Sequence, residues 1–250
     1  RISSGDSFKV DYMMTFGDFV GSQYAKYIQG CSISMGSVIN NDVPKLQNQQ
    51  QGMMIFVSQW EIWVGDHRQW KNYFQSVHAI VFPCLMNYAK KKGKRLTILL
   101  RNYKDTDLLS QEKAYFRDLM GCEPDFYESK GSYSGYQAVD SAEVVVTISS
   151  TLGFESIARG NKTAHFNIDP GCFDYTVNEI NTRWPGDFSD EGLFWTNKPD
   201  PDIFVRILDY LFEIDDVKWR KDVEDSNFSS LMVYQPGNRL LKSVLEKELG

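Results

Sequence analysis

One segment constrains the fold more than any other. Glu143-Val144-Val145-Val146-Thr147-Ile148 reads as a strand buried on both faces. It runs into Ser149-Ser150-Thr151-Leu152-Gly153-Phe154-Glu155-Ser156-Ile157-Ala158-Arg159-Gly160, a hydroxyl-rich turn opening a helix that a glycine closes. A second apolar run, 163–168, follows. Strand, turn, helix and strand make one β-α-β unit, with the turn at the edge where parallel sheets receive ligands. A helix start that combines hydroxyls with unpaired backbone N–H groups suits a phosphate. Glu155, one turn further on, is within reach of a ribose on the same ligand.

The rest of the chain repeats the rhythm. Strands are expected at 53–58, 95–101 and 126–128, with helices at 68–91 and 111–120 and a helical turn at 136–141. Three further helices, 201–212, 217–225 and 239–249, close the chain. The alternation predicts an α/β fold: a Rossmann-like parallel sheet with helices on both faces. Before it, 11–16 and 31–35 read as strands around a helix at 22–29, and polar 48–52 reads as a linker. The expected division is therefore 1–47, the end of an N-terminal Rossmann-like domain, and 48–250, a second domain. The chain opens on Arg1 rather than Met, as expected of a fragment or a trimmed chain.

Composition removes whole classes. With 250 residues, 42% hydrophobic and 14% aromatic, the chain can bury a sizeable core. A net charge of −6 argues against a nucleic-acid partner. The one dense basic cluster, Lys90-Lys91-Lys92-Gly93-Lys94-Arg95, reads first as a helix C-terminus complementing its dipole, and leaves peripheral membrane association open. The four cysteines, at 31, 84, 122 and 172, fit neither a zinc site nor a disulfide framework. Cys31 and Cys84 are expected to be buried thiols, and a cytoplasmic setting, at most at the inner face of a membrane, is the simplest one. No apolar run reaches transmembrane length and no signal peptide is visible.

The segment 140–160 resembles the nucleotide-binding pattern of the C-terminal domain of GT-B glycosyltransferases, D-x-A, an apolar strand, then S-[ST]-x-G-x-E-x-x-x-x-G. Asp140, Ala142, Ser150, Thr151, Gly153, Glu155 and Gly160 match it. More narrowly, 11–250 is similar to bacterial surface-polysaccharide transferases, including capsule β-Kdo transferases and CDP-glycerol phosphotransferases. The resemblance implies a nucleotide-sugar donor, CMP- or CDP-linked, with its phosphate on the Ser/Thr turn and its ribose on Glu155. It also implies a glycan acceptor at the cell surface or on a lipid, and Kdo or a related acid sugar as the group moved. A CDP-glycerol or ribitol phosphotransferase is the alternative on the same scaffold, and a nucleotide-sugar-binding module that turns nothing over is the non-enzyme reading. No further cofactor is implied.

Residues just after each strand supply the candidates: Ser58, Gln59, Trp60 and Glu61; Arg101, Asn102 and Tyr103; Ser149, Ser150 and Thr151; Asn167 and Asp169. The expected nucleotide contacts are Arg101, Ser149, Ser150, Thr151, Gly153 and Glu155. A simple N-cap competes for the serines, a dipole-stabilising acid for Glu155, and an ion pair with Asp105 or Asp107 for Arg101. Gly160 reads as a helix C-cap. Asp18, Asp42 and Glu61 are candidates for the catalytic carboxylate, each with a turn or cap role as its alternative. Tyr133, Tyr136, Trp184 and Trp195 offer rings for a base or sugar, or for loop packing; the loop 183–195 resembles the one before the family's closing helices. None of the three histidines has metal or triad spacing: Asp66, beside His67, reads as a cap, and His78 and His165 as structural. The one DxD match, Asp200-Pro201-Asp202, reads as a helix cap with Pro at N1. No metal site is therefore expected.

Overall fold

The structure, a computed structural model, describes residues 8–61, 68–102, 106–127, 131, 133–173 and 188–249. They form two compact units. The larger, 46–156 with 161–214, is built on six parallel strands: β3 (Gln50–Val57), β4 (Arg95–Leu99), β5 (Asp125–Tyr127), β6 (Ala142–Thr147), β7 (Thr163–Phe166) and β8 (Trp195–Thr196).

The spatial order is β5-β4-β3-β6-β7-β8, with every adjacent pair parallel. The chain builds outward from β3 to β5, then returns to β6 and builds the other way. The order thus reverses between β3 and β6, where Met54 pairs with Val144 and Phe56 with Val146. In open α/β sheets such a reversal opens a crevice beyond the strand ends. Both central strands are apolar without alternation because both faces are covered: Met54, Ile55, Phe56, Val144, Val145 and Val146 are each fully buried. One face packs on α5 (Ser134–Ser141) through Ile55, Val57, Ala138, Val139 and Val145. On the other, Phe56 meets Phe82 and Phe116 from α3 (Arg68–Lys92) and α4 (Thr106–Met120), with ring centroids 4.7 and 6.4 Å away. The helix α6 (Thr151–Ala158) begins the second half of the sheet, and α7 (Pro201–Glu213) ends the unit, stacking Phe204 on Phe166 at 4.3 Å.

The smaller unit comprises 1–45, 157–160 and 215–250. It holds a parallel pair, β1 (Phe8–Thr15) and β2 (Ile28–Ser34), with α1 (Asp18–Tyr24), α2 (Val38–Asp42), α8 (Asp216–Asp225) and α9 (Arg239–Leu249). Buried Arg159 organises it: its guanidinium donates to the carbonyls of Asn40, Val43 and Pro44 at 3.0–3.2 Å and lies over the Tyr234 ring. Gly160, at φ 87°, ends the preceding helix in the left-handed conformation that glycine tolerates, as its C-cap role requires.

Several boundaries differ from expectation. Residues 215–250 group with the N-terminal unit, not with the second domain. The first helix lies at 18–24 rather than 22–29, because Gly17 brings the chain within contact of the Ser230 backbone and Asp18 opens the helix there. Residues 50–52 of the expected linker are the solvent end of β3; Gln50 pairs with Ala142. Cys31 is exposed, whereas Cys84 is buried and its thiol is pushed up to about 11 by burial, with Asp202 adding to it. No helix of the described residues is long and apolar enough to cross a membrane. In the basic cluster, Lys92 pairs with Asp209, Lys94 with Glu143 and Arg95 with Asp125.

Candidate functional site

A cleft of about 470 Å³ opens at the reversal point of the larger unit. Its walls come from the ends of three strands: Val57, Ser58 and Gln59 after β3, Leu99 to Arg101 after β4, and Ser149 to Thr151 after β6. Gly135 and Tyr136 of α5 and Leu152 and Glu155 of α6 complete it. Of the six expected nucleotide contacts, five line this one cleft: Arg101, Ser149, Ser150, Thr151 and Glu155.

Their bonding distinguishes them. Gln59 reaches across from β3 and grips Ser149 twice, accepting its backbone N–H at 2.8 Å and donating from Nε2 to its hydroxyl at 3.2 Å. Ser150 caps α6, its Oγ accepting the Leu152 N–H at 3.3 Å. Thr151 is exposed, and its hydroxyl makes no hydrogen bond to a described residue. Glu155 is buried, 6% exposed, and its Oε1 accepts the Tyr136 hydroxyl at 3.2 Å. Gly153 does not line the cleft. A Cβ there would lie 2.4 Å from Thr147 Cγ2 and 2.9 Å from His165 Cε1, so its lack of a side chain lets α6 lie directly on β6 and β7.

Arg101 is half exposed and pairs with Glu61 at 3.0 Å. Asp105 lies outside the described residues. The loop carrying Arg101 is fixed from below by Glu112 of α4, a fully buried carboxylate that the sequence did not flag. Glu112 accepts the backbone N–H groups of Arg101 at 3.0 Å and Asn102 at 2.9 Å, the Asn102 side-chain amide at 3.0 Å, and the Ser58 hydroxyl. Four donors satisfy a charge that would otherwise be costly to bury. The result ties the ends of β3 and β4 together.

The other candidates separate. Glu61 belongs to the larger unit, while Asp18 and Asp42 belong to the smaller one; Asp18 accepts the Ser34 hydroxyl there, and Asp42 is exposed at the end of α2. Asn167 and Asp169 do not line the cleft. Trp195 is buried in β8, donates from Nε1 to the Ser189 carbonyl at 3.0 Å and packs on Phe194. Tyr133 is exposed and outside the cleft lining. Asp66, His67, Tyr103, Glu128 and residues 183–187, with Trp184, lie outside the described residues. Asp200 caps α7 by accepting the Asp202 N–H at 2.9 Å, with Pro201 at the first helical position. Among the described residues no three His, Cys, Asp or Glu side chains converge to hold a metal ion. His78 and His165 are both buried, and burial holds each imidazole down to about 3.

A family model described as "putative O-antigen biosynthesis protein" matches residues 2–249. No curated protein sequence matches the chain. Among solved structures, a variant of the wall teichoic acid polymerase TagF aligns at 9% identity with a TM-score of 0.53, over 96% of this chain and 58% of that one. A second TagF structure aligns at 13% identity with a TM-score of 0.50 over the same shares. The UDP-GlcNAc 2-epimerase from Neisseria meningitidis aligns at 10% identity, covering 81% of this chain and 45% of that one, with a TM-score of 0.45. The chain thus spans about half the length of these proteins. At such identities the TagF match bears on the fold, which is the Rossmann-like fold of GT-B type.

Proposed function

The chain belongs to the O-antigen biosynthesis protein family, and from that premise we propose that it is a glycosyltransferase that moves a sugar from a nucleotide donor onto a surface polysaccharide. One observation carries this reading: Arg101, the 149–151 turn and Glu155 converge in one cleft at the reversal point of the sheet. The donor phosphate sits on the turn at the start of α6, with the Thr151 hydroxyl as a hydrogen-bond donor to it. The ribose hydroxyls bind Glu155, held in place by Tyr136. Arg101 supports the phosphate that departs.

In this account, the bond from the anomeric carbon to the donor phosphate oxygen breaks, and its electron pair leaves with the nucleotide. A bond to the acceptor oxygen forms, and the acceptor hydroxyl gives its proton to a carboxylate. Glu61, held beside the cleft by Arg101, is the proposed acceptor of that proton within the larger unit. Asp18 and Asp42 are the corresponding candidates in the smaller unit. Most of the rate comes from positioning and from charge stabilisation on the leaving nucleotide. No metal is assigned a part in this account; among the described residues no three His, Cys, Asp or Glu side chains converge on one point.

CMP- or CDP-linked sugars are the favoured donors, Kdo and related acid sugars among them. The CDP-glycerol or ribitol phosphotransferase reading uses the same cleft and differs in what the donor carries. Incubating the full-length protein with CMP-, CDP-, UDP- and GDP-linked donors and lipid-linked or oligosaccharide acceptors distinguishes them. Sugar transfer supports the proposal, glycerol-phosphate transfer replaces it with the alternative, and binding without turnover identifies a binding module.

A further inference from the structure

Next to the nucleotide cleft lies a second concavity, a groove of about 410 Å³ between α3 and α4. Helix α3 presents Lys71, Phe74, Gln75 and His78 to it, and α4 presents Gln111, Ala114, Tyr115 and Asp118. Each set is spaced i, i+3, i+4, i+7, one full helix face. Two helices that only cover a sheet would fill such facing stripes with aliphatic residues. These carry amides, charges and aromatic rings instead.

The lining has the chemistry of a sugar site. Trp60 and Tyr115 form an aromatic wedge, ring centroids 6.5 Å apart and planes inclined at 40°. Such a wedge receives the C–H face of a pyranose, while Gln75, Gln111 and Asp118 on the rim are hydrogen-bonding partners for ring hydroxyls. At the floor, His78 is 1% exposed, its Nδ1 2.7 Å from the Tyr115 hydroxyl. Its Nε2 has no hydrogen-bond partner among the described residues. The charged rim groups are Glu61, Asp118 and Lys71, with Arg101 engaged by Glu61. That balance favours hydroxyl donors and disfavours a carboxylate on the ligand.

The geometry points to a carbohydrate subsite here: the groove takes a neutral, hydroxyl-rich sugar ring stacked on Trp60, with its hydroxyls on Gln75, Gln111 and Asp118. The groove adjoins the cleft through one short segment. Ser58 and Gln59 line the cleft, Trp60 and Glu61 line the groove, and the Glu61–Arg101 ion pair joins the two linings. The ring therefore comes from the donor itself or from the acceptor glycan, an assignment that rests on the nucleotide reading of the cleft; sugar binding in the groove does not.

Two arms test this. In the first, saturation-transfer NMR is run with methyl glycosides of glucose, galactose, mannose and rhamnose, and with methyl glucuronide. At least one neutral glycoside should show ring-proton saturation. That signal should fall at least fivefold in both Trp60→Ala and Gln111→Ala, variants with circular dichroism and melting temperature checked against wild type, and exceed that of the glucuronide. In the second, calorimetry compares UDP with UDP-glucose and GDP with GDP-mannose. A sugar-bearing nucleotide that binds tenfold tighter than its parent, with Trp60→Ala removing the gain, assigns the groove to the donor sugar. Glycoside binding without such a gain assigns it to the acceptor. No glycoside signal and no sugar-dependent gain, or signals that ignore both variants, overturns the proposal, as does a glucuronide that binds as well as the neutral sugars. If neither nucleotide binds, the cleft reading fails for these bases while the glycoside arm still decides the groove.

Discussion

The Glu112 carboxylate accepts the backbone N–H of Arg101 at 3.0 Å, so a fully buried charge on α4 sets the position of an exposed cation at the cleft edge. Glu112→Gln keeps the shape but turns one acceptor oxygen into a donor facing backbone N–H groups. The variant should lose about 1–3 kcal/mol of stability, the cost of leaving buried donors unsatisfied. Nucleotide affinity should fall as well, because Arg101 loses its anchor. Denaturant melts and calorimetry on the same protein check both effects.

Ser150 and Thr151 should separate in a way that two adjacent hydroxyls would not suggest. Ser150 already caps α6 through the Leu152 N–H. Ser150→Ala should therefore cost about 1 kcal/mol of stability in addition to any loss of binding. Thr151→Ala should leave the melting temperature unchanged and weaken nucleotide binding by about 1.5–3 kcal/mol, the scale of a hydrogen bond to a charged group. Thermal melts beside titrations read out the difference.

Gly153→Ala should destabilise the larger unit while sparing the cleft's polar groups. The new methyl would meet Thr147 and the His165 ring below contact distance. Overpacking of this kind costs about 1–3 kcal/mol. A variant as stable as wild type would show that α6 shifts to admit the methyl.

Much of the larger unit is legible in the sequence. The strands β3, β4, β6 and β7 are apolar runs bounded by polar turns, and the 149–155 segment carries its own pattern. Glu112 is not legible: a glutamate in an amphipathic helix looks solvent-facing until the strand ends it anchors are folded beneath it. The groove lining is hidden for the same reason, since 71–78 and 111–118 become one surface only when α3 and α4 pack side by side. Helix α2 is not legible, because five residues are too few to show a helical period. Asn40 and Asn41 are both buried, and Asn41 donates to the Asn238 side-chain carbonyl at 3.1 Å, a long-range setting that local preference does not encode. The return of 215–250 to the N-terminal unit is likewise a tertiary fact.

Stability should fall with acid in a defined window. His78 and His165 are held neutral to about pH 3 by burial, against an ordinary value of 6.5. Below 6.5 the unfolded chain binds protons that the folded chain refuses, so stability drops as pH falls toward 3. Between pH 7 and pH 5 the loss should be roughly 2 kcal/mol per buried histidine. His78→Phe, which cannot titrate, should show about half the dependence. Urea melts at both pH values provide the check.

The central claim is that the cleft at the β3–β6 reversal holds a nucleotide through its phosphate and ribose. Its most direct test is calorimetric titration of CMP, CDP, UDP and GDP into wild type and Glu155→Gln, with thermal melts of both. An amide offers the ribose hydroxyls one acceptor oxygen where the carboxylate offers two, yet it can still accept the Tyr136 hydroxyl. The account predicts that at least one nucleotide binds wild type, and that Glu155→Gln binds it at least tenfold more weakly with little change in melting temperature. Wild-type affinity in a variant that melts at lower temperature would contradict it and identify Glu155 as a structural acid.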